Sequence, residues 1–140
     1  MQNQTSLGFK EAQLAIQVIQ SEMLRRGKAG VIAVADAHGE LIALLRLDGA
    51  PLPSITIATN KAWTAARERK ATYELGKAVR DAQTGFDIAY YGDPRYLGWG
   101  GGLPFSRDGV VVGSVAVSGL SELEDIELAQ IGLDAILQAS

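Results

Sequence analysis

The sequence predicts an α+β domain in which helices cover a central antiparallel sheet. Two pairs of β-branched and aliphatic runs predict two hairpins, one formed by residues 30–37 and 40–47 and the other within residues 105–119. Apolar residues at helical spacing predict one helix before the first hairpin, two between the hairpins and one after the second. The order α-β-β-α-α-β-β-α favours paired hairpins over the crossovers of a parallel α/β sheet.

The first helix is predicted from a polar start, an amphipathic body and a glycine stop. Thr5 or Ser6 is a candidate N-cap, and Gly27 follows the last helical turn. One face of the body carries the apolar residues Phe9, Ala12, Ile16, Ile19 and Met23. Because these side chains recur at the helical period, we expect them to face the sheet together.

The other helices are predicted from similar signals. Ser54 is a candidate N-cap for the alanine-rich helix over residues 54–70, and Thr72 begins a shorter helix. An S-x-x-E capping box at Ser121 precedes the last helix. Residues 83–102 are irregular and rich in aromatic residues and glycine, and loops of this length are usually functional or mobile.

Composition limits the chemistry that the chain can perform. Its 140 residues fit a single domain, residues 1–140, with a net charge of -3 and no cysteine. The lack of cysteine excludes disulfides, a thiol nucleophile and Cys-ligated metal centres. Basic and acidic residues are interspersed, so neither nucleic acid nor a membrane surface is an expected partner. With no signal-like N-terminus and no apolar run long enough to span a membrane, we expect a cytoplasmic protein.

The sharpest local feature is the glycine-rich stretch LGWGGGLPF at residues 97–105. A phosphate-binding glycine loop lies between a strand and a helix, whereas here a proline and a predicted strand follow. A structural turn, an inter-subunit contact and the wall of a small-ligand pocket remain as interpretations. An inward Trp99 favours closure over a ligand, and an outward one favours contact between two chains. Gly113, inside the last β run, predicts a bulge or a close neighbour.

Several polar residues are candidates for a site. His38 lies at the tip of the first predicted hairpin, where an exposed turn residue is favoured and a general base or a single axial ligand is the alternative. Lys61, Thr64 and Arg67 lie about one turn apart on a helix and are candidates to bind a carboxylate, although a solvated face is also consistent. The acidic residues within 122–125 fall in a first helical turn, where the helix dipole accounts for them.

Four segments together resemble a known family. They are VIAVADAHGELIALLRLDGAPLPSITIATNKAWTAA, GGGLPF, DGVVVGSVAVSG and EDIELAQIGLDAI. In order and spacing they resemble the GlcG/HbpS-like family of haem-degrading domain proteins, a domain also found at the C-terminal end of PduO-type cobalamin adenosyltransferases. The resemblance covers about residues 7–137. It implies a profilin-like sheet of about five strands and homo-oligomers in which dimers build rings or octamers.

The family's K-A-x-T-A, G-G-x-P and V-S-G motifs match this sequence at Lys61, Ala62, Thr64, Ala65, Gly101, Gly102, Pro104, Val117, Ser118 and Gly119. The resemblance implies that these residues outline a shared pocket between helix, glycine loop and strand end. Haem-binding relatives can carry glutamates suited to iron before K-A-x-T-A, whereas this chain has Thr56 and Thr59, so no metal site is predicted. Haem is still a candidate ligand, with arginine or lysine pairing its propionates.

Two functions are consistent with these residues. The main hypothesis is a catabolic enzyme that acts on a small carboxylated compound by metal-free acid–base chemistry, as an isomerase, lyase or deaminase. Its candidate catalytic residues are Lys61, Asp36, Glu68 and His38. Its candidate ligand-binding residues are Thr64, Arg67, Tyr96, Trp99, Gly101, Gly102, Pro104 and Phe105. The alternative is a non-catalytic haem or corrinoid binder with a pocket lined by Trp63, Tyr91 and Trp99.

In the enzyme hypothesis, each group has a separate task. Lys61 or Arg67 holds the substrate carboxylate, and the backbone amides of Gly101 and Gly102 stabilise developing negative charge on oxygen. Asp36, Glu68 or His38 transfers a proton. Aromatic side chains exclude water: Tyr96, Trp99 and Phe105.

Overall fold

The computed structural model describes residues 1–140 and contains the predicted elements in the predicted order. The helices are α1 (Phe9–Arg25), α2 (Ser54–Glu68), α3 (Thr72–Arg80) and α4 (Glu122–Gln138). The strands are β1 (Val31–Ala35), β2 (Leu41–Arg46), β3 (Gly102–Arg107) and β4 (Val110–Ser118). A short 3-10 helix, Ile88–Tyr91, lies in the segment between α3 and β3.

The strands form one antiparallel sheet in the order β2-β1-β4-β3. The predicted α+β class is therefore confirmed, but the sheet has four strands and not the five or so that the resemblance implied. Both hairpins pair within themselves, and β1 joins them by pairing with β4. No helix of the chain has the length and apolar character needed to cross a membrane.

Helices cover both faces of the central strands. All five residues of β1 are buried, as expected for a strand with helices on each side. Ile32 and Val34 belong to the larger core, which α1 and α4 complete. The residues of β1 that point to the other face, Val31, Ala33 and Ala35, pack in a second, smaller core. This core includes Ala58 and Ala62 of α2. Small side chains in that core let α2 lie close to the sheet.

Two of the three predicted N-caps are wrong. The N-cap of α1 is Gly8, whose N–H donates to Glu11 Oε1 at 2.7 Å, so neither Thr5 nor Ser6 caps this helix. Ser6 Oγ instead accepts a hydrogen bond from the N–H of Ala37 at 3.0 Å. The physical reason is that a glutamate three residues into the helix can satisfy the N-cap amide from inside the helix.

At the other two starts, one serine lies inside its helix and one caps it. Ser54 is the first residue of α2, after Pro53 at the cap position. It therefore lies one position past the cap, and its hydroxyl oxygen accepts a hydrogen bond from Ser118 Oγ at 3.2 Å and none from the helix backbone. The capping box at Ser121 is confirmed, since Ser121 Oγ accepts from the N–H of Glu124 at 3.2 Å.

The second hairpin begins earlier than predicted and contains the predicted bulge. Its first strand starts at Gly102, three residues before position 105, so the end of the glycine-rich stretch is part of the sheet. The turn is made by Asp108 and Gly109, both with positive φ. The strand register shifts opposite Phe105, and a Cβ on Gly113 would lie 2.5 Å from the carbonyl oxygen of Ala35. Both predicted reasons for this glycine, a bulge and a close neighbour, are thus confirmed.

Candidate functional site

A cavity of about 430 Å³ lies where α2, the glycine-rich stretch, the end of β4 and the start of α4 meet. We call it the lysine cavity. Its lining includes Ser54, Lys61, Trp99, Ser118, Glu122 and Asp125. It therefore opens between the helix, the glycine loop and the strand end that carry the three sequence motifs.

A buried ion pair lies in the wall of the lysine cavity. Lys61 Nζ is 3.1 Å from Asp125 Oδ2 and donates a second hydrogen bond to the carbonyl oxygen of Val117 at 2.9 Å. The two residues are only 2% and 3% exposed. Asp125 Oδ1 also accepts from the N–H of Leu120 at 3.1 Å. The pair thus links α2 to the start of α4 and to the last residues of β4.

Burial dominates the titration of both partners. Desolvation lowers the pKa of Lys61 and outweighs the opposing attraction of Asp125. Desolvation likewise raises the pKa of Asp125 to about 6, against the effect of the lysine. Burial therefore makes the neutral amine and the neutral carboxyl group more populated than they would be in water.

The glycines permit close packing over this ion pair. A Cβ on Gly101 would lie 2.7 Å from Lys61 Nζ, and the φ of Gly101 is +127°. Gly102 N–H donates to Thr72 Oγ1 at 3.0 Å, and Gly100 N–H donates to Glu122 Oε2 at 2.8 Å. The loop amides thus bind groups of the protein itself.

A second cavity, of about 330 Å³, lies beside the turn between β1 and β2. We call it the histidine cavity, because its lining includes His38 together with Arg67, Arg69 and Tyr96. Arg67 Nη1 donates to the carbonyl oxygen of His38 at 3.3 Å, which fixes the arginine against the turn. The imidazole itself is exposed and makes no hydrogen bond within the chain. The two cavities share no lining residue.

An aromatic cluster lies next to the histidine cavity. The ring of Trp63 is 4.6 Å from that of Tyr96, and Tyr96 is 4.8 Å from Tyr91, both edge to face. The guanidinium carbons of Arg67 and Arg95 lie 4.7 Å and 4.2 Å from the centre of the Trp63 ring. Trp63 is buried, yet its Nε1–H has no hydrogen-bond partner.

The structure separates the three residues of the predicted carboxylate-binding face. Lys61 lies in the lysine cavity, and Arg67 lies in the histidine cavity. Thr64 is buried between them, where its Oγ1 donates to the carbonyl oxygen of Arg95 at 3.1 Å and accepts from the N–H of Leu97 at 3.3 Å. The three positions are neighbours along the helix, but their side chains do not form one carboxylate-binding face. They do not form a solvated face either, because Lys61 and Thr64 are buried.

The other candidate residues are also dispersed. Asp36 Oδ1 accepts from the backbone amides of His38 and Glu40, so this carboxylate caps the turn. Glu68 accepts from the hydroxyl of Tyr91 at 3.3 Å, away from the lysine cavity. Pro104 and Phe105 lie in β3, with Phe105 in the larger core.

Trp99 is apart from the other aromatic residues. It is 62% exposed at the lysine cavity, whereas Trp63 and Tyr91 belong to the aromatic cluster. The binder hypothesis places these three residues in one pocket. The structure does not, because Trp99 lies apart from the other two. The outward position of Trp99 corresponds to the interpretation in which the loop contacts another chain.

Asp125 is the residue that the sequence interpretation missed. In the sequence, its place in the first turn of a helix is explained by the helix dipole alone. A signal was present, because Lys61 lies among alanines on a helix predicted to pack on a sheet, and a buried ammonium requires a counterion. Arg69 was missed as well, since nothing in the sequence indicates that it lines a cavity with His38.

The molecule is an α+β domain whose cavities include the lysine cavity and the histidine cavity, both of small-molecule size. A family model described as "Haem degrading protein HbpS-like" matches residues 7–134, and the chain belongs to this family. The resemblance described from the sequence motifs is thus confirmed.

Curated relatives and solved structures agree with this family. The chain is 33% identical over 106 residues to corrinoid adenosyltransferase PduO of Salmonella typhimurium, a match to 76% of this chain and 32% of that one. It thus spans about a third of the length of PduO. Protein GlcG of Escherichia coli is 33% identical over 118 residues, 84% of this chain and 85% of GlcG.

Two solved structures superimpose on most of the chain. Klebsiella pneumoniae protein ORFY has a TM-score of 0.92 at 30% identity and covers 98% of this chain and 94% of its own. A complex of PduOC with haem has a TM-score of 0.86 at 27% identity and covers 94% of this chain and 95% of its own. One member of this fold family has thus been solved with haem bound.

Proposed function

We propose that this chain is a non-catalytic haem-binding or haem-sensing protein and that haem binds in the histidine cavity. The observation that carries the proposal is the position of His38, the only imidazole of the chain, in one cavity with Arg67 and Arg69. The family description and the haem complex of PduOC support the choice of ligand.

The donor set of the histidine cavity fits haem. A histidine nitrogen is a common axial ligand of haem iron, and the exposed imidazole of His38 makes no competing hydrogen bond within the chain. Arginine pairs well with carboxylates, and neither Arg67 nor Arg69 forms an ion pair within the chain. Arg67 gives one Nη1 hydrogen bond to the carbonyl oxygen of His38 and keeps further N–H donors for a propionate. Bound haem would supply a redox-active iron centre, and His38, Arg67 and Arg69 would hold and orient the group.

The enzyme hypothesis is less well supported. Lys61 already binds Asp125 and the carbonyl of Val117, and the amide of Gly102 already binds Thr72. Glu122 also lines the lysine cavity, where its negative charge would oppose a carboxylated substrate. The proposed carboxylate anchor and one of the two oxyanion donors therefore have partners within the fold.

A haemin titration tests the proposal. Wild-type protein should give a saturable shift of the Soret band with one haem per chain. His38→Ala should weaken binding at least about tenfold and change the Soret position, because an axial ligand is lost. Arg46→Ala, which removes an exposed arginine outside the histidine cavity, should bind as wild type does.

Two results would contradict the proposal. A wild-type titration without saturation would overturn haem binding. Unchanged affinity and spectrum in His38→Ala would overturn the histidine cavity as its location. A corrinoid is titrated in parallel, and saturable binding of the corrinoid but not of haemin would assign the site to the other tetrapyrrole class. A single domain over residues 1–140, cytoplasmic location and dimer-based assembly stay predictions.

A further inference from the structure

The lysine cavity has no role in the proposed binding of haem. It shares no residue with the histidine cavity, and it contains the buried pair of Lys61 and Asp125. A buried ion pair is a poor source of stability, because desolvation of both charges offsets their attraction. An ion pair that served only to join α2 and α4 would not need an adjacent space of about 430 Å³.

We propose that Lys61 forms a reversible Schiff base with a small, neutral, hydroxylated aldehyde or ketone that enters the lysine cavity. Three features of the cavity support this assignment: an amine in the wall, a carboxyl group 3.1 Å from it, and a pair of serine hydroxyls in the same lining. Each corresponds to one part of the ligand or of the reaction.

The lining limits the class of ligand. Ser54 and Ser118, whose hydroxyl oxygens are 3.2 Å apart, offer hydrogen bonds to a ligand hydroxyl. Glu122 and Asp125 make the cavity unfavourable for an anion. The indole of Trp99, although largely exposed, also lines the cavity and offers an apolar edge to the carbon atoms of a ligand without closing over it. A small hydroxylated carbonyl compound satisfies all three conditions.

The reaction balances without a further reactant. Lys61 transfers a proton from Nζ to Asp125 Oδ2, and the neutral amine then adds to the carbonyl carbon to form a carbinolamine. Asp125 returns the proton to the carbinolamine hydroxyl, which leaves as water as the C=N bond forms. The products are an iminium ion and one water molecule, and the regenerated carboxylate lies beside the new cation. Hydrolysis reverses each step.

The environment of the amine supports its reactivity. Only a neutral amine is a nucleophile, and burial lowers the pKa of Lys61 although Asp125 opposes this effect. The pKa of Asp125, raised to about 6, is suited to taking up and returning a proton near neutral pH. The four other lysines, Lys10, Lys28, Lys70 and Lys77, are all exposed.

Reductive trapping tests this proposal on the intact protein. Wild-type protein is incubated at pH 7 with limiting glycolaldehyde and cyanoborohydride, and the modified lysines are identified by peptide mass spectrometry. Lys61 should be modified at least about tenfold faster than any exposed lysine, because a lower pKa gives a larger neutral fraction. The preference should disappear when the protein is unfolded in urea. Labelling of Lys61 no faster than that of the exposed lysines would overturn the proposal.

Variants of two neighbouring carboxylates test the proton transfer. Asp125→Asn keeps the size of the side chain but removes its acid–base function, so trapping at Lys61 should slow about tenfold. Glu127→Gln, at an exposed position of the same helix outside the cavity, should leave trapping unchanged. Equal rates in the two folded variants would exclude Asp125 from the reaction. Because the assay contains no haem, its outcome is independent of the haemin titration.

Discussion

The backbones of Gly76 in α3 and Gly98 in the glycine-rich stretch are in direct contact. A Cβ on Gly76 would lie 2.1 Å from the carbonyl oxygen of Gly98, and a Cβ on Gly98 would lie 2.5 Å from the Cα of Gly76. A glycine inside a helix costs about 1 kcal/mol relative to alanine. This contact gives the physical reason for it, because the backbone of the segment that leads to β3 lies directly against α3 at this position.

We therefore expect Gly76→Ala to destabilise the protein although alanine is the better helix former. The added methyl group would displace the backbone of Gly98, and overpacking of this kind costs about 1–3 kcal/mol. Urea unfolding measures the change in the free energy of unfolding. Lys77→Ala, at an exposed position of the same helix, should change it by less than about 0.5 kcal/mol. If Gly76→Ala were as stable as wild type or more stable, the backbone around Gly98 would have moved aside at no cost in free energy.

Thr64 should hold the same segment from the other side. Thr64→Val keeps the side-chain shape but leaves the carbonyl of Arg95 and the amide of Leu97 without their partner. Loss of these part-buried hydrogen bonds should cost about 1–3 kcal/mol and accelerate hydrogen exchange of the Leu97 amide. Thr59→Val, which removes only a hydroxyl bonded within its own helix, is the matched control. Unchanged exchange at Leu97 would contradict this role of Thr64.

The order of elements was predictable because it depends on local periodicity. Alternating and helical patterns identified both hairpins and all four helices, and Gly113 identified the bulge. The N-caps of α1 and α2 were not predictable, because Glu11 and Pro53 compete with the serine and threonine candidates there. Local sequence lists the candidate caps, but the tertiary fold selects among them.

The candidate site was predictable only in outline. The motifs indicated the helix, the loop and the strand end that surround the lysine cavity, but not the ion pair within it. Lys61 and Asp125 are 64 positions apart, and their contact depends on how α4 crosses the end of β4. That His38 and Arg69 line one cavity likewise depends on where α2 ends beside the first hairpin. Long-range placement of this kind leaves no signal in local spacing.

The titration of Asp125 should appear in the pH dependence of stability. Its folded-state pKa of about 6 exceeds the ordinary aspartate pKa of 3.8, so the folded protein binds more protons than the unfolded chain between these values. This stabilising contribution is complete below about pH 4 and is lost as the pH rises through 6. The free energy of unfolding of wild type relative to Asp125→Asn should therefore fall over this range, by at most about 1.4 kcal/mol per pH unit.

Urea unfolding at several pH values from 4 to 8 measures this difference, and Asp125→Asn cancels the contribution of all other carboxyl groups. Above about pH 7 Asp125 is ionised in both the folded and the unfolded state, so its contribution to the difference in free energy of unfolding should be constant. A relative stability that rises from pH 4 to 6 would mean that attraction to Lys61, and not burial, dominates the pKa of Asp125.

Arg69 should show opposite effects on stability and on haem binding. It ends α2 in the left-handed conformation, with φ at 59°, and forms no ion pair within the chain. Glycine adopts this conformation without strain, so Arg69→Gly should raise the free energy of unfolding by about 0.5–1 kcal/mol. The same change removes a proposed propionate partner and should weaken haem binding about threefold to tenfold. Arg69→Lys, which keeps both the strain and the positive charge, should leave stability unchanged and retain most of the affinity. Wild-type affinity in Arg69→Gly would remove Arg69 from the haem site, and a loss of stability would show that the arginine makes contacts that outweigh its backbone strain.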